Sequence, residues 1–327
     1  MTISRAIIVL GIIGLLMPIK TMSQENPLHF HGQYLFNPYI INPAIAGSKD
    51  FNNINISVRQ YISKIEGAPK TQLICGHTRL RKPAKGYTWS YRNPGFTNIG
   101  VGGLLYNDII AGFRKLGVEI TYAYHVPLQR AAFSHLSFGL SATAFYYTIN
   151  PNAFNVVGDP VLNEGVLGSV VPDANFGIYY YGVNQYAGIS AYNLFESNIK
   201  PGNNEPINRV RTYFLLGGYK WRLNTDKFIM LEPSILVRAT EETFDEFYNF
   251  IDITLKCYIQ TFYVGMSYRM KETLATFMLY QFRNINIGFL YELPFSRAVN
   301  LNFGTAQIMV GVNFGKGINI FGDNRYC

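Results

Sequence analysis

The sequence has few charged residues and few cysteines, and after its first segment it has no long hydrophobic run. Charged residues make up 15% of the 327 residues, against about 25% in a typical soluble domain. The three cysteines (Cys75, Cys257 and Cys327) are far apart and in no metal-like spacing, which argues against a disulfide framework. No later run approaches the roughly 18 uncharged apolar residues that a spanning helix needs. The sequence is therefore atypical of soluble domains and of helical membrane proteins.

Aromatic residues are abundant instead. Tyr and Phe each occur 24 times and aromatics reach 15%, while the mean hydropathy is only +0.06. High aromatic content without long apolar runs is typical of a transmembrane β-barrel. The net charge of +8 is spread along the chain, and its densest basic cluster (Arg79, Arg81, Lys82 and Lys85) is too short for a nucleic-acid surface. We expect no nucleic-acid partner.

The first 23 residues have the features of a signal peptide. Arg5 supplies the positive start, Ala6–Met17 the short apolar core and Thr21–Ser23 a cleavage site before Gln24. The mature chain is therefore expected to leave the cytoplasm, with outer-membrane lipids around it. The predicted division is a signal peptide at 1–23, a periplasmic or plug segment at 24–50, a barrel at 51–315 and a tail at 316–327.

The clearest strand pattern lies between Lys115 and Val126. Its even positions are apolar or aromatic, and its odd positions are small or polar, as in Glu119 and His125. Successive side chains of a strand point to opposite faces, and about 9–11 residues cross a bilayer as a tilted strand. The same pattern recurs about 14 times, an even number as in bacterial single-chain barrels. The predicted strands lie at 53–59, 70–80, 98–106, 115–126, 136–146, 175–181, 185–192, 212–221, 229–238, 251–260, 262–270, 273–281, 284–292 and 308–314. The fold predicted is an all-β transmembrane antiparallel barrel with an N-terminal plug or latch.

The connections predict an orientation. With both termini in the periplasm, the turns near 182–184, 260–261 and 282–284 are periplasmic and short, whereas the outer connections include 149–173 and 194–209. Short inside and long outside is the usual asymmetry of these barrels. The long connection 81–97 breaks it, and it is either a loop packed on the rim or a docking surface for a periplasmic partner.

No active site can be assembled from the sequence, since no nucleophile, base and orienting group can be named together. His29 and His31 would point the same way on an extended backbone, but no third metal ligand is identifiable. The glycines of Gly100–Gly103 are followed by no helix, so we interpret them as strand glycines at a tight bend. The acidic run at 241–246 is interpreted as a solvated loop. We therefore predict no enzyme, no cofactor and no metal site.

Eight charged residues fall on the polar side of their predicted strands, the side that should face the lumen. Charges of both signs indicate a wet or plugged interior with internal ion pairs, whereas ion selection would favour a ring of one sign. Bracing of the wall is the favoured role, and selectivity or transport is the alternative. The eight are Arg59, Glu119, Glu232, Arg238, Asp252, Lys256, Arg269 and Glu292.

The segment from Gln33 to Ser48 resembles the start of the PorP/SprF family of Bacteroidota outer-membrane proteins. The resemblance continues through Glu66–Thr71, Leu105–Asp108, Tyr122–Leu128 and Leu231–Ser234. It also includes Arg59-Gln60, Leu136–Leu140, Gly265–Arg269 and Ile308-Met309, and so covers essentially the whole mature chain. His29 with His31, and the tail from Lys316, depart from the family pattern.

The resemblance implies a role in the type IX secretion and gliding machinery. Members look like barrels that help export or anchor large surface proteins such as adhesins, with periplasmic secretion-ring lipoproteins and a secreted surface protein as partners. The rival hypothesis is an outer-membrane channel for small or lipidic solutes, gated by the N-terminal segment.

The motif itself contains two Asn-Pro pairs, which restrict the backbone and disfavour helix at each Asn. A stiff segment of this kind is expected to plug the pore or latch the barrel, or else to contact a partner directly. Its candidate residues are Gln33, Tyr34, Phe36, Asn37, Pro38, Asn42, Pro43 and Gly47.

Overall fold

The computed structural model describes residues 32–49, 51–64, 67–81, 96–129, 134–149, 167–196, 209–224, 228–295 and 302–314. The predicted signal peptide, the His29–His31 pair, most of the connection 81–97 and the tail from residue 316 lie outside these residues. Within the described ranges, no helix is both long enough and apolar enough to cross a membrane.

The described chain is a closed antiparallel β-barrel. Fifteen strand segments are present, and β8 and β9 are two parts of one barrel strand interrupted at Lys220, because both pair with β10. The ring closes where β15 pairs with β1, from Asn52 opposite Phe314 to Ser63 opposite Asn302. The prediction of about 14 antiparallel strands is thus confirmed. The segments are β1 Asn52–Ser63, β2 Lys70–Arg81, β3 Phe96–Ile110, β4 Phe113–Gln129, β5 Ser134–Ile149, β6 Leu167–Tyr181, β7 Gln185–Tyr192, β8 Thr212–Tyr219, β9 Trp221–Asn224, β10 Ile229–Thr240, β11 Ile251–Ile259, β12 Phe262–Arg269, β13 Thr273–Phe282, β14 Ile285–Pro294 and β15 Asn302–Phe314.

The alternation of side chains gives the barrel an apolar outer surface and a polar interior. On β4, Ile120 is 69% exposed and Tyr122 51%, whereas Glu119 is 7% exposed and Thr121 2%. Outward-facing Val, Ile, Leu, Phe and Tyr continue this exposed band around the other strands. An apolar outer band with a polar interior is the pattern of a barrel whose solvent is lipid.

The two ends of the barrel differ in their connections. Among the described residues, one end has turns of two or three residues at 182–184, 260–261 and 283–284, and the other end has both short turns, at 111–112 and 270–272, and longer connections. The connection 193–211 and the 3₁₀ helix Glu241–Phe250 lie at the other. By the usual asymmetry of these barrels, we take the short-turn end as periplasmic and the other as the outer end.

Three sequence predictions differ from the structure, and one of them is the last strand, β15, which begins at Asn302 rather than near residue 308. Strand β6 begins at Leu167 rather than near Asn175, because Pro172 and Asp173 continue the ladder opposite β5 although they resemble a loop. The acidic run, predicted as a loop, lies in the helix Glu241–Phe250. This helix begins with a capping box in which Thr240 accepts from the backbone N–H of Thr243.

Residues Gly32–Lys49, here called the lumenal segment, precede β1 and form three short 3₁₀ helices, Gln33–Leu35, Pro38–Ile41 and Pro43–Ile45. The Asn-Pro pairs explain this conformation. Proline fits the first helical position because its missing N–H is not needed there. The preceding Asn side chains accept from the N–H groups of Tyr39, at 3.3 Å, and Ala44, at 2.9 Å. Each pair therefore ends one turn and starts the next.

Candidate functional site: the lumenal segment and its wall

The lumenal segment runs through the inside of the barrel from the outer half towards the periplasmic end. The Tyr34 hydroxyl donates to Asp252 Oδ2 at 3.0 Å, close to the outer end of β11. Near the periplasmic end of β4, His125 Nε2 is 2.9 Å from the carbonyl oxygen of Ala46. The chain then reaches β1 at its periplasmic end. The segment thus contacts both halves of the lumen.

Wall hydroxyl groups donate to three backbone carbonyls of the segment. Buried carbonyl groups need such partners because an unpaired one costs free energy. Three hydroxyl groups donate to them: Tyr192 to Ile40 at 2.9 Å, Ser190 to Ile41 at 2.5 Å, and Ser137 to Ala44 at 2.7 Å.

Side chains of the segment also bond to the wall. The Tyr39 hydroxyl lies 2.6 Å from Thr121 Oγ1, and Asn42 Nδ2 donates to the backbone oxygen of Ile178 at 3.1 Å. The buried Tyr34 hydroxyl is the donor to the Asp252 carboxylate on β11. These bonds extend the contacts to β4, β6 and β11.

A row of small residues on the inner wall lets the backbone of the segment approach closely. Gly100, Ala123, Gly139, Gly177 and Ser190 are successive register partners across β3–β7. A Cβ on Gly139 would lie 2.3 Å from the backbone N of Ala44, and one on Gly100 would lie 2.1 Å from the Ala46 oxygen. The interpretation of Gly100–Gly103 as strand glycines at a tight bend did not include this role of Gly100. It is needed for close backbone approach.

Two histidines bind the end of the segment. His125 donates through Nε2 to the Ala46 carbonyl, so its Nδ1 is the acceptor for the Tyr181 hydroxyl at 2.9 Å. His77 Nδ1 accepts from the Gly47 N–H at 3.2 Å. Both rings therefore act as neutral imidazoles. The sequence predicted polar lumen groups here, but it gave no signal for these partners.

The predicted segment residues differ in their surroundings. All are buried except Pro38, which is half-buried. Phe36 packs edge-on against Phe277, with ring centroids 6.0 Å apart, and Asn37 Nδ2 donates to Cys75 Sγ at 3.0 Å. Gln33 is 1% exposed, and its amide has no hydrogen-bond partner within the described ranges. The eight residues thus lie along one continuous path inside the barrel.

The eight predicted lumen charges are all buried, and most of them form ion pairs. Arg59 pairs with Glu292 at 2.5 Å, and Arg269 with Asp252 at 3.0 Å. Glu119 instead accepts hydrogen bonds from Thr121 and Asn175. Two further pairs are Lys256–Glu232 at 3.8 Å and Arg238–Glu272 at 3.5 Å. The interior is thus cross-linked by opposite charges.

Sequence reasoning missed several interior polar residues. Asp173 pairs with Arg209 at 2.8 Å, and Asp108 accepts from the Thr71 hydroxyl at 2.7 Å. Extending the alternation of β3 and β6 to their observed ends would have found both acids. Arg209 precedes β8, where no alternation exists to place it.

Replacing Asp252 with Ala should destabilise the barrel strongly. Arg269 and Asp252 are 8% and 7% exposed at their side chains, and removing one partner of a buried pair costs about 3–5 kcal/mol. The loss should appear in the free energy of unfolding in urea and detergent. Arg211→Ala is the control, because Arg211 pairs with Glu241 on the exposed surface, where ion pairs contribute little. Equal effects of the two substitutions would contradict this view of the interior.

Below the segment, the lumen is hollow. A cavity of about 130 Å³, here called the vestibule, opens to the periplasmic end. The lumenal segment forms its roof with Leu35, Phe36 and Ile45. Tyrosines line one side (Tyr179, Tyr181, Tyr186, Tyr258 and Tyr263), and asparagines line the other (Asn53, Asn55, Asn286 and Asn313). Among the described residues, no group of three or more His, Cys, Asp or Glu side chains could hold a metal ion.

Comparison with known proteins gives one family. The model of the family described as type IX secretion system membrane protein PorP/SprF matches residues 23–312. No curated protein matches the sequence.

Solved structures with a similar fold include three outer-membrane barrels. The translocator domain of the autotransporter NalP from Neisseria meningitidis is 10% identical to this chain. The match covers 87% of this chain and 96% of that domain, with a TM-score of 0.38. BamA from Haemophilus ducreyi lacking POTRA domains 1–3 is 11% identical, covering 81% and 71%, with a TM-score of 0.39. The beta domain of the Bordetella autotransporter BrkA is 9% identical, covering 82% and 100%, with a TM-score of 0.36.

Proposed function

Because the chain belongs to the PorP/SprF family of type IX secretion system membrane proteins, we propose that it helps to export or anchor cell-surface proteins without catalysing a reaction. It is an outer-membrane β-barrel component of the secretion machinery. The proposed partners are periplasmic secretion-ring lipoproteins and a secreted surface protein such as an adhesin. The process that they would serve is gliding motility.

The observation that supports this role best is the path of the lumenal segment. A conducting channel needs a continuous wet pathway. Here the segment bonds to β11 through Tyr34, to β4 through Tyr39 and to β7 through Ile40 and Ile41. We propose that it plugs the pore. A plugged barrel favours a role in holding or positioning other proteins over a role in conducting solutes.

The secretion role is tested by deleting the gene and comparing the surface proteome. We expect large exported surface proteins to be lost from the cell surface, while other outer-membrane barrels stay at their normal levels. Re-expression of the wild-type chain should restore them. An unchanged set of exported proteins would contradict the role.

The rival function, a solute channel gated by the segment, predicts a different result in liposomes. Liposomes that contain the purified protein should not swell in solutes of sugar size if the lumen is plugged. Free passage of these solutes through the wild-type protein would favour the channel.

A further inference from the structure

A groove on the lipid-facing side of β1–β4 has the size and the lining of a site for a hydrocarbon chain. Its volume is about 570 Å³, within the roughly 300–1,000 Å³ of small-ligand sites. We propose that this groove, here called the lipid groove, binds an acyl chain of a phospholipid from the periplasmic leaflet of the outer membrane. The inference goes beyond the secretion role and does not depend on it, because it uses only the place of the barrel in the membrane.

Two glycines form the floor of the lipid groove. Gly76 on β2 and Gly103 on β3 are register partners. Both lie at outward-facing positions, because the next residues along their strands, His77 and Leu104, are buried on the lumen side. A Cβ added at Gly103 would lie 3.7 Å from its nearest atom. Adjacent strands are about 4.8 Å apart, so the missing side chains leave a depression two strands wide in the apolar band.

Apolar side chains surround this floor. Each of the six that form its walls is at least 41% exposed, so each points away from the lumen. The one carboxylate in the lining, that of Glu119, is turned into the lumen and is 7% exposed. Walls without an outward charge favour hydrocarbon over a lipid headgroup. The wall residues are Ile54, Ile74, Leu105, Val118, Ile120 and Phe314.

The lipid groove is open towards the periplasmic end and closed towards the outer end. On the periplasmic side of the glycines, the next outward positions are the short side chains of Thr78 and Val101, which are register partners. On the other side, the larger Ile74 and Leu105 face each other. The stretch from Thr78 to Ile74 is about 13 Å long along the strand, close to half of the roughly 30 Å hydrocarbon core. An acyl chain of the periplasmic leaflet can therefore enter over Thr78 and end at Ile74.

The polar groups of the lining favour a lipid over a partner protein. Small residues also admit close contacts between membrane proteins, but those contacts commonly include hydrogen bonds between polar side chains. The outward polar side chains of the lining are Thr78 and Asn52, and the Thr78 hydroxyl already donates to the Asn52 side chain. The groove is also continuous with the apolar band that faces lipid. A flexible acyl chain can fill it and restore the dispersion contacts that a void would lose.

The test uses a phospholipid with a photoreactive diazirine near the end of one acyl chain. The full mature chain is reconstituted into phosphatidylethanolamine vesicles that contain a small fraction of this probe, illuminated and digested for mass spectrometry. Bulk lipid contacts the whole apolar band, so the outward face of β8 around Gly217 gives the background. We expect labelling around Gly76 and Gly103 to exceed it at least about fivefold, the preference that roughly ten additional van der Waals contacts provide.

Variants then locate the site. Gly103→Leu fills the floor of the lipid groove and should reduce labelling of β2 and β3 to the level of β8. Gly103→Ala adds a single methyl group and should keep most of the labelling. Gly217→Leu is the matched control, because an added Cβ at this outward glycine would lie 3.8 Å from its nearest atom, the backbone oxygen of Tyr186. It should leave the labelling of β2 and β3 unchanged.

Equal labelling of β2–β3 and β8 in the wild-type protein would show contact with bulk lipid alone and would overturn the proposal. Undiminished labelling of Gly103→Leu would do the same. The probe is also added to isolated outer membranes, and loss of the preference there would assign the groove to a partner protein instead of a lipid. None of these results changes the secretion role, which the gene deletion tests separately.

Discussion

Deletion of residues 33–47 is expected to open a pore through the lumen of the barrel. Small barrels of about 8 strands are filled by side chains, whereas barrels of about 16–18 strands enclose an aqueous channel. A closed ring of 14 strands lies between these sizes, and here the lumenal segment supplies much of the filling. In planar bilayers, the conductance should rise by about an order of magnitude or more over wild type.

The matched control removes a similar length of chain from outside the lumen. Shortening the outer helix Glu241–Phe250 to a glycine-serine turn should leave the conductance at the wild-type level. If the wild-type protein already conducts, or if the folded deletion variant stays closed, the segment is not the plug.

A single substitution, Gly139→Leu, should displace the segment without removing it. A Cβ at this position would lie 2.3–2.5 Å from three backbone atoms of Pro43 and Ala44, and contacts this short force the structure to move. Overpacking costs about 1–3 kcal/mol or more. We expect release of the segment to show as increased conductance and as new cleavage within residues 33–49 by added protease.

Gly103→Leu is the control for this substitution. Gly103 is on the lipid-facing side of β3, and a Cβ added there would lie 3.7 Å from its nearest atom, the backbone oxygen of Glu119. Leucine should be accepted there. The conductance should stay at the wild-type level, and added protease should not cleave the segment. If both variants behave alike, the close approach at Gly139 does not hold the segment in place.

The barrel could be predicted from the sequence because lipid and lumen impose a period of two on every strand. This period is strongest where Leu136–Tyr146 alternates on β5, and the predicted and observed strands agree there. It failed at the start of β6, since Pro172 and Asp173 have poor strand propensity. Tertiary pairing with β5 overrides that propensity.

The stiffness of the lumenal segment could be anticipated from its Asn-Pro pairs, but its partners could not. Tyr34 and Asp252 are 218 residues apart in the chain, so their contact depends on the register of the whole ring. The row from Gly100 to Gly177 is likewise visible only after β3–β6 are aligned. A single glycine in a strand does not show which backbone will approach it.

The charges illustrate the same limit. Alternation assigns Arg59 and Glu292 to one side of their strands, but their ion pair forms only because β15 lies between β1 and β14. The vestibule is even less visible from the sequence, because it is the space that the lumenal segment leaves unfilled. Its lining residues come from many strands and share no motif.

The most direct test of the account is photo-crosslinking from the lumenal segment in intact cells. A benzoylphenylalanine in place of Tyr34 should crosslink within the same chain to β11 and β12, because the Tyr34 hydroxyl bonds to Asp252, which in turn pairs with Arg269. The same probe at Tyr39 should reach β3 and β4, where Gly102 and Thr121 lie. Mass spectrometry of the crosslinked peptides identifies the partners. Crosslinks from both positions to their own strands would support a segment threaded through the lumen, whereas crosslinks only to other proteins, or none within the chain, would contradict it.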